Sequence, residues 1–226
     1  MMKLVIFDCD GTIVDTQDKI GANMKEAFES LDLVWPGQAA TRGIIGLSLL
    51  QAMRKLFPAG EHFQHEALVV RYKEISHRET DADQTPVMSF YDGALEAIKW
   101  LRARDDMFLA IATGKSHRGV LHMLKAAKLP VNAFISIQTA DSAASKPHPE
   151  MIMNAMADAG GIGGHDTVMV GDASYDMEMA RSANVHAVGV DWGYQSVETL
   201  ENSGAHKIMS HFSQLDGMLK EFWPER

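Results

Sequence analysis

Short β-rich stretches alternate with amphipathic stretches along most of the chain, and this alternation limits the possible folds more than any other feature. Apolar runs that favour strands lie at residues 3–7, 107–112, 167–170 and 186–190, with a weaker fifth at 133–137. Helices are predicted where apolar residues recur at helical spacing, over 91–104, 117–128, 149–159 and 175–183. Because strands that alternate with helices form a parallel sheet covered on both faces, we predict a Rossmann-like α/β fold. Ligands of such sheets bind beyond the carboxyl ends of the strands.

One long region interrupts this alternation. Between residues 15 and 84 the sequence has no convincing strand, and it shows helical patterns over 19–31, 47–57 and 62–79. We therefore predict two domains, which are an α/β core of residues 1–15 and 85–226 and an inserted all-helical cap of residues 16–84. A mobile helical domain over a site at the sheet edge would exclude water when closed.

The composition indicates a soluble protein. The 226 residues are 46% apolar, which allows a sizeable packed core. The net charge of −9, with no basic run, argues against a nucleic-acid partner, although a local cation could still attract an anionic substrate. Cys9 is the one cysteine, so no disulfide can form within the chain, and no apolar run approaches the ~20 residues of a membrane span. We expect a cytoplasmic protein without membrane contacts, either a monomer or a homodimer.

Two acidic residues directly follow the first predicted strand. They stand in the sequence Asp8-Cys9-Asp10-Gly11-Thr12, where the chain turns out of the core. Two carboxylates at this edge form a hard oxygen site for a divalent cation. They also supply a nucleophile and a second group that can move a proton. The sequence therefore predicts metal-assisted chemistry at the carboxyl end of this strand.

Three later positions carry residues of matching chemistry. Thr113 and Gly114 directly follow the second strand and offer a hydroxyl and an approachable backbone N–H at the start of a helix, which suits phosphate. Lys146 lies in a polar loop and supplies a fixed cation. Asp172 follows a further strand and supplies another hard ligand, with Asp176 four residues later. Together these residues suit the binding of phosphate beside a metal ion.

The order of these motifs resembles the haloacid dehalogenase-like hydrolase superfamily. Asp-x-Asp-Gly-Thr, Thr-Gly, Lys-Pro and Gly-Asp-x-x-x-Asp occur here in the same order as the four motifs of that superfamily. The helical insertion after the first motif is similar to its small cap, as in the branch of phosphoglycolate phosphatase and β-phosphoglucomutase. One departure is Ala173, because many relatives have Thr or Ser after the aspartate of the last motif.

The resemblance implies a phosphatase that uses Mg²⁺ and acts on a small phosphorylated metabolite, with phosphoglycolate as the leading candidate. It implies that Asp8 is the nucleophile that becomes an aspartyl phosphate. Asp10 would protonate the leaving alcohol and later deprotonate the attacking water. The resemblance also implies that Mg²⁺ binds the Asp8 carboxylate, the backbone carbonyl of Asp10 and Asp172.

The resemblance implies roles for the remaining motif residues as well. Thr113 and Gly114 would hold phosphate oxygens. Lys146 would neutralise Asp8 and the phosphate together, and Asp176 would orient metal-bound water or Lys146. These roles agree with simple electrostatics, because a carboxylate is repelled by a phosphate dianion and can attack it only when cations lie nearby.

Substrate specificity is expected in the helical domain. Arg42 and Lys55 are cations of this domain that could reach a carboxylate or second phosphate of the substrate. Two other functions remain open. A phosphosugar mutase would use the same nucleophile, metal and acid–base group but return the phosphate to a sugar. A non-enzymatic binding protein on this fold is disfavoured because all four charged motif positions are intact.

Overall fold

A six-stranded parallel sheet forms the centre of the molecule. The computed structural model describes residues 2–80 and 88–224. Its strands are β1 (Lys3–Phe7), β2 (Val14–Asp15), β3 (Ser89–Phe90), β4 (Met107–Thr113), β5 (Ser136–Thr139), β6 (Thr167–Gly171), β7 (His186–Val190) and β8 (Lys207–Met209). Its helices are α1 (Gln17–Glu29), α2 (Gln38–Arg42), α3 (Leu49–Leu56), α4 (His62–Thr80), α5 (Ala94–Arg102), α6 (His117–Ala127), α7 (Glu150–Asp158), α8 (Ser174–Ser182), α9 (Val197–Asn202) and α10 (Leu215–Phe222).

The strand order places the first strand in the middle of the sheet. The order is β5-β4-β1-β6-β7-β8, and every neighbouring pair is parallel. Phe7 of β1 pairs with Ile111 of β4 and with Val170 of β6. The residues that follow these positions, including Asp8 and Asp172, therefore leave the sheet at one edge. The α/β fold predicted from the alternation of strands and helices is confirmed.

Side chains of β1 belong to two hydrophobic clusters on opposite faces of the sheet. Val5 and Phe7 pack with residues of α5 and α6 on one face, whereas Leu4 and Ile6 pack with residues of α7 and α8 on the other. All four side chains are fully buried. A central parallel strand is covered on both faces, which explains why its sequence is continuously apolar rather than alternating.

Helices α1–α4 form a separate layer, the helical segment, at residues 17–80. Its own hydrophobic cluster joins Met24 and Phe28 of α1 to Met53 of α3 and Leu68 of α4. Three helices were expected here from the spacing of apolar residues, and α1, α3 and α4 occupy those positions.

The helical segment is connected to the core at one place. β2 and β3 pair antiparallel, with Val14 opposite Phe90, so the chain leaves and re-enters the core side by side. The predicted return linker and the domain boundary at residue 84 lie outside the described residues. The division into residues 16–84 and the rest therefore stays a prediction.

Several short elements differ from the sequence-based prediction. The alternation does not predict β2, β3, β8, α2, α9 or α10, because elements of two to eight residues are too short to show a period. The fifth strand begins at Ser136 rather than at Ala133, since Val131–Ala133 forms a 3-10 turn after Pro130. Among the described residues, no helix is both long enough and apolar enough to cross a membrane.

Candidate active site

Three buried carboxylates meet at the carboxyl edge of the sheet. Asp8 follows β1, Asp172 follows β6, and Asp176 lies in the first turn of α8. One carboxylate oxygen from each lies within 4.8 Å of those of the other two, and all three residues are buried. Residues separated by more than 160 positions thus converge because β1 and β6 are hydrogen-bonded neighbours.

Lys146 is the cation of this cluster. Its Nζ atom lies 2.6 Å from Oδ1 of Asp176 and 3.0 Å from Oδ1 of Asp8, and the side chain is completely buried. Burial alone would lower the pKa of Lys146, but the charges of Asp176 and Asp8 outweigh it and raise the pKa. Lys146 therefore remains charged and offsets part of the negative charge of the cluster.

Asp8 is the least satisfied member of the cluster. The contact with Lys146 is an ion pair without hydrogen-bond alignment, and neither carboxylate oxygen of Asp8 has a hydrogen-bond partner among the described residues. Burial raises the pKa of Asp8 to about 6, and Lys146 opposes that rise while Asp176 and Asp10 add to it. Two buried oxygens without hydrogen bonds are costly in a folded protein and usually have a functional role. This carboxylate is poised to receive a cation or an electrophile.

Asp172 is held from both sides by backbone and side-chain donors. The Tyr194 N–H donates to Oδ2 at 2.9 Å, and the Thr12 hydroxyl donates to Oδ1 at 3.3 Å. A Cβ atom at Gly11 would lie 2.2 Å from Oδ2 of Asp172, and one at Gly193 would lie 2.1 Å from its Cβ. Burial, together with the charges of Asp176 and Asp8, raises the pKa of Asp172 well above its ordinary value.

The donor set fits a hard divalent cation. It consists of carboxylate oxygens only, and the two oxygens of Asp8 have no hydrogen-bond partner among the described residues. Oxygen ligands of this kind suit Mg²⁺ or Ca²⁺ rather than a soft metal. A bound cation would also relieve the mutual repulsion that raises the pKa values of Asp8 and Asp172.

Asp176 stands between Lys146 and the start of α8. Its Oδ1 pairs with Lys146, and its Oδ2 accepts the Ala173 N–H at 3.1 Å. A Cβ atom at Gly171 would lie 2.4 Å from the Asp176 carboxyl group, so glycine is needed there. The structure thus places Asp176 beside Lys146, whereas a role toward metal-bound water stays a prediction.

The carboxylate of Asp10 is not a member of the three-carboxylate cluster and contacts Lys115 and Thr16 instead. Its Oδ1 lies 2.6 Å from Nζ of Lys115 and accepts the Thr16 hydroxyl at 2.5 Å. Asp10 lines a cavity of about 400 Å³ between the helical segment and the core. This placement suits a group that exchanges protons with a ligand in the cavity. The predicted metal contact through its backbone carbonyl stays a prediction.

Thr113 and Gly114 lie between the cluster and the helical segment. Thr113 ends β4 and is buried, and its hydroxyl accepts the Lys115 N–H at 3.2 Å. Gly114 lines the same cavity as Asp10. A Cβ atom at Gly114 would lie 2.6 Å from the carbonyl oxygens of Gly46 and Leu47, so only glycine allows this close approach of the helical segment.

The two helical-segment cations selected from the sequence lie away from the cavity. Arg42 is exposed and donates to Oε1 of Gln17 at 2.7 Å. Lys55 is exposed and donates to the Tyr175 hydroxyl at 3.0 Å. Among the described residues that line the cavity, the helical segment contributes Lys73 instead. Substrate contacts by Arg42 and Lys55 stay a prediction that this geometry does not favour.

Sequence reasoning did not select Lys115 and Tyr194 for the site. Lys115 directly follows Thr113-Gly114, and this position was a usable signal. Tyr194 belongs to the loop after β7, and its hydroxyl accepts the Thr16 N–H at 2.8 Å and contacts Oδ1 of Asp15 at 3.2 Å. Tyr194 therefore connects Asp172 to the strand that leads into the helical segment.

A larger cavity of about 910 Å³ lies at the opposite edge of the sheet, beside Lys3, His165 and Trp223. The described residues that line it include none of the predicted site residues. Chemistry rather than size therefore selects the candidate site, because the three buried carboxylates and the buried cation lie at the carboxyl edge.

The geometry and the motif order define a member of a known hydrolase class. The chain belongs to the haloacid dehalogenase-like hydrolase family, whose model matches residues 5–190. This confirms the family resemblance drawn from the motifs.

Individual relatives cover nearly the whole chain. "Probable phosphatase IndB" of Dickeya dadantii is 34% identical over 96% of this chain and 93% of its own length. "Pyrophosphatase PpaX" of Bacillus pumilus is 30% identical over 87% of this chain and 86% of its own. A phosphoglycolate phosphatase of Mesorhizobium japonicum is 27% identical over 96% and 95%. Among solved structures, a hydrolase from Pseudomonas syringae superposes with a TM-score of 0.83 at 26% identity, covering 98% of this chain and 99% of that one.

Proposed function

We propose that this protein is a Mg²⁺-dependent phosphatase that hydrolyses small organic phosphate monoesters through an aspartyl phosphate on Asp8. The observation that carries the proposal is the buried Asp8 carboxylate, which has no hydrogen-bond partner among the described residues and lies 3.0 Å from the Lys146 ammonium. A nucleophile must keep a lone pair free, and a nucleophile that attacks a phosphate dianion must stand beside a cation. The names of the relatives IndB and PpaX support phosphatase chemistry.

The metal ion would be held by Asp8 and Asp172, together with the backbone carbonyl of Asp10. The support is the all-oxygen donor set of the three buried carboxylates and the lack of hydrogen-bond partners for the Asp8 oxygens among the described residues. When bound, Mg²⁺ would withdraw negative charge from the phosphate oxygens. Asp176 would keep Lys146 in place through the 2.6 Å ion pair between them.

The reaction would then proceed in two displacements at phosphorus, the first by Asp8 and the second by water. In the first, an Asp8 oxygen forms a bond to phosphorus while the bond to the leaving oxygen breaks and Asp10 gives that oxygen a proton. In the second, Asp10 takes a proton from water, the water oxygen bonds to phosphorus, and the Asp8–phosphorus bond breaks. The Thr113 hydroxyl and the Gly114 N–H would hold phosphate oxygens meanwhile.

The helical segment would act as the cap of this site. Two hydrogen bonds support this role, since the Ser48 N–H donates to the Ser145 hydroxyl at 2.9 Å and the Tyr175 hydroxyl donates to the Gly43 carbonyl at 2.9 Å. The first joins the helical segment to the loop that carries Lys146, and the second joins it to the start of α8. Closure over the site would exclude bulk water and strengthen the electrostatic contacts inside.

A phosphate-release assay tests the proposal. The unmodified chain should release inorganic phosphate from phosphate monoesters in the presence of Mg²⁺ and lose this activity in EDTA. Asp8→Asn, which keeps the side-chain size but removes the nucleophile, should release none above background. Equal release by both proteins would exclude the mechanism. Conversion of a sugar 1-phosphate to its 6-phosphate without net phosphate release would instead show a mutase.

A further inference from the structure

The helical segment rests on the core in this structure, so the cavity beneath it is the space available to a leaving group. The backbone at Gly114 approaches the carbonyl oxygens of Gly46 and Leu47 so closely that a Cβ atom would lie 2.6 Å from them. A hydrogen bond of 2.9 Å from the Ser48 N–H to the Ser145 hydroxyl joins the helical segment to the core at a neighbouring position. The volume that remains is therefore not a consequence of an open cap.

This cavity is large for the smallest candidate substrates. Its volume is about 400 Å³, and Asp10 and Lys115 stand at its core end. Cavities of ~300–1,000 Å³ commonly hold organic ligands of drug-like size. The leaving group of phosphoglycolate is a two-carbon acid, and that of pyrophosphate is a single phosphate. Either would leave much of this space to water.

One wall of the cavity is apolar. It is formed by side chains of α1, of the loop before α3, of α3 itself and of α4, namely Ile20, Met24, Ile44, Leu50 and Val69. Such side chains give ordered water few hydrogen bonds, so water in contact with them is readily displaced by an apolar group. A short, fully polar leaving group would gain nothing from this wall.

The helical segment also contributes an exposed cation to the lining of the cavity. Lys73 of α4 lines the cavity, and it has no hydrogen bond or ion pair with any residue that the structure describes. Its helical neighbours three and four positions away, where a partner acid would stand, are Val69, Val70, Ser76 and His77. Ser76 and His77 line the cavity as well.

The adjacent acid on α4 does not neutralise this cation. Glu74, the next residue, points to Arg71 and pairs with it at 2.7 Å. The lining of the cavity therefore combines a proton-transferring acid on the core, apolar side chains and an ammonium group on α4. That combination suits a ligand with a phosphate at one end and an anionic group at the other.

We propose, on the basis of the phosphatase function proposed above, that the natural leaving group is an alcohol or phenol with an apolar body and a terminal anionic group that meets Lys73. The substrate class is a carboxylated aryl or alkyl phosphate monoester. Phosphoglycolate has only one methylene group to place against the apolar wall.

Steady-state kinetics with three esters tests this assignment. With Mg²⁺, kcat/KM for 4-carboxyphenyl phosphate should exceed that for phenyl phosphate, and both should exceed that for phosphoglycolate, each by about tenfold. Lys73→Gln should remove the advantage of the carboxylated ester, mainly through KM. The matched control Lys25→Gln changes an exposed helical lysine that pairs with Glu29 at 2.8 Å, and it should leave the order unchanged.

The outcomes separate this inference from the proposed function. A highest kcat/KM for phosphoglycolate would overturn the inference while the phosphatase function stands, and so would an equal effect of Lys73→Gln on all three esters. Release of phosphate from none of the esters would overturn both. Val69→Phe offers a second test, since added volume at the apolar wall should lower kcat/KM for the two aryl esters more than for phosphoglycolate.

Discussion

The Nζ atom of Lys115 lies 2.6 Å from Oδ1 of Asp10, which joins the residue after the Thr113-Gly114 motif to the acidic turn. Burial would lower the pKa of Lys115, but the Asp10 carboxylate outweighs it and raises the pKa. Lys115 therefore keeps its charge and fixes the direction of the proposed acid–base group. No other described cation is as close to Asp10.

Replacing Lys115 by Met should reduce turnover without unfolding the protein. A charge-assisted hydrogen bond contributes ~1.5–3 kcal/mol, so its loss should lower kcat/KM for phenyl phosphate by about ten- to a hundredfold. Lys115→Arg keeps the charge and should recover part of the activity. Phosphate release under matched Mg²⁺ measures the effect, and a fully active Lys115→Met protein would show that this contact has no role in turnover.

Tyr194 should control the junction of the helical segment rather than the metal. Tyr194→Phe removes the hydroxyl that contacts Thr16 and Asp15 but keeps the N–H that donates to Asp172. We expect the free energy of unfolding to fall by ~1 kcal/mol. We also expect kcat to change relative to KM, whereas the affinity for Mg²⁺ should stay the same. Calorimetric titration with Mg²⁺ and chemical denaturation provide the two measurements.

Gly193→Ala, in the same loop as Tyr194→Phe, should affect the metal site instead of the junction. A Cβ atom at this position would lie 2.1 Å from Cβ of Asp172, so the carboxylate must shift. Mg²⁺ affinity should then fall by about tenfold or more, as for other changes that displace a metal ligand. If Tyr194→Phe weakens Mg²⁺ binding as much as Gly193→Ala does, the hydroxyl and the N–H of Tyr194 do not have separate roles.

Lys146 should stabilise the folded protein in the absence of metal, in addition to its proposed role in the reaction. Lys146→Met leaves Asp8 and Asp176 buried beside each other without their cation, and breaking a buried ion pair in this way destabilises a protein by ~3–5 kcal/mol. Urea unfolding in EDTA measures the loss. Lys25→Met removes an exposed pair and should change the free energy of unfolding by less than ~1 kcal/mol. Equal effects of the two substitutions would contradict the account.

Stability should fall in acid because of a histidine at the opposite edge of the sheet. Burial and the neighbouring Arg181 lower the pKa of His206 below its ordinary 6.5, and its Nδ1 accepts the Ala187 N–H at 2.9 Å. The unfolded chain then binds a proton more readily than the folded one, so stability is retained above the unfolded pKa and is lost as the pH falls below it.

The variant His206→Asn isolates this contribution from other titrating groups. Asn keeps an acceptor for the Ala187 N–H but does not titrate. The stability of the unmodified protein relative to His206→Asn should be greater at pH 8 than at pH 5. A difference that is independent of pH, measured by urea unfolding, would show that His206 does not titrate on unfolding.

The parts of the site that follow parallel strands could be predicted from the sequence. Asp8 and Asp172 come directly after apolar runs, and parallel strands bring their carboxyl ends to one edge. Lys146 was identified from its place between these motifs, and the structure places it against Asp8 and Asp176. These residues depend on topology, which the alternation of strands and helices reveals.

Contacts set by packing between the helical segment and the core could not be predicted. Thr16 and Tyr194 are 178 positions apart, and no local pattern links them. Arg42 and Lys55 were selected only because they are cations, whereas the direction of a helical side chain decides which cation lines the cavity. Lys73 does so together with Val69 and Ser76, which lie on the same face of α4. The shorter elements, such as β8, depend on pairing with a neighbour rather than on their own sequence.

The most direct test of the central claim locates the phosphoryl group on the protein. Asp10→Asn should still allow attack by Asp8 on p-nitrophenyl phosphate, whose leaving group needs no proton, but it should slow hydrolysis of the phosphoenzyme. With Mg²⁺ we expect a burst of p-nitrophenol equal to the enzyme present, with mass spectrometry of the acid-quenched protein placing one phosphoryl group on Asp8. A burst that persists when Asp8→Asn is added to Asp10→Asn, or a phosphoryl group on another residue, would contradict the account.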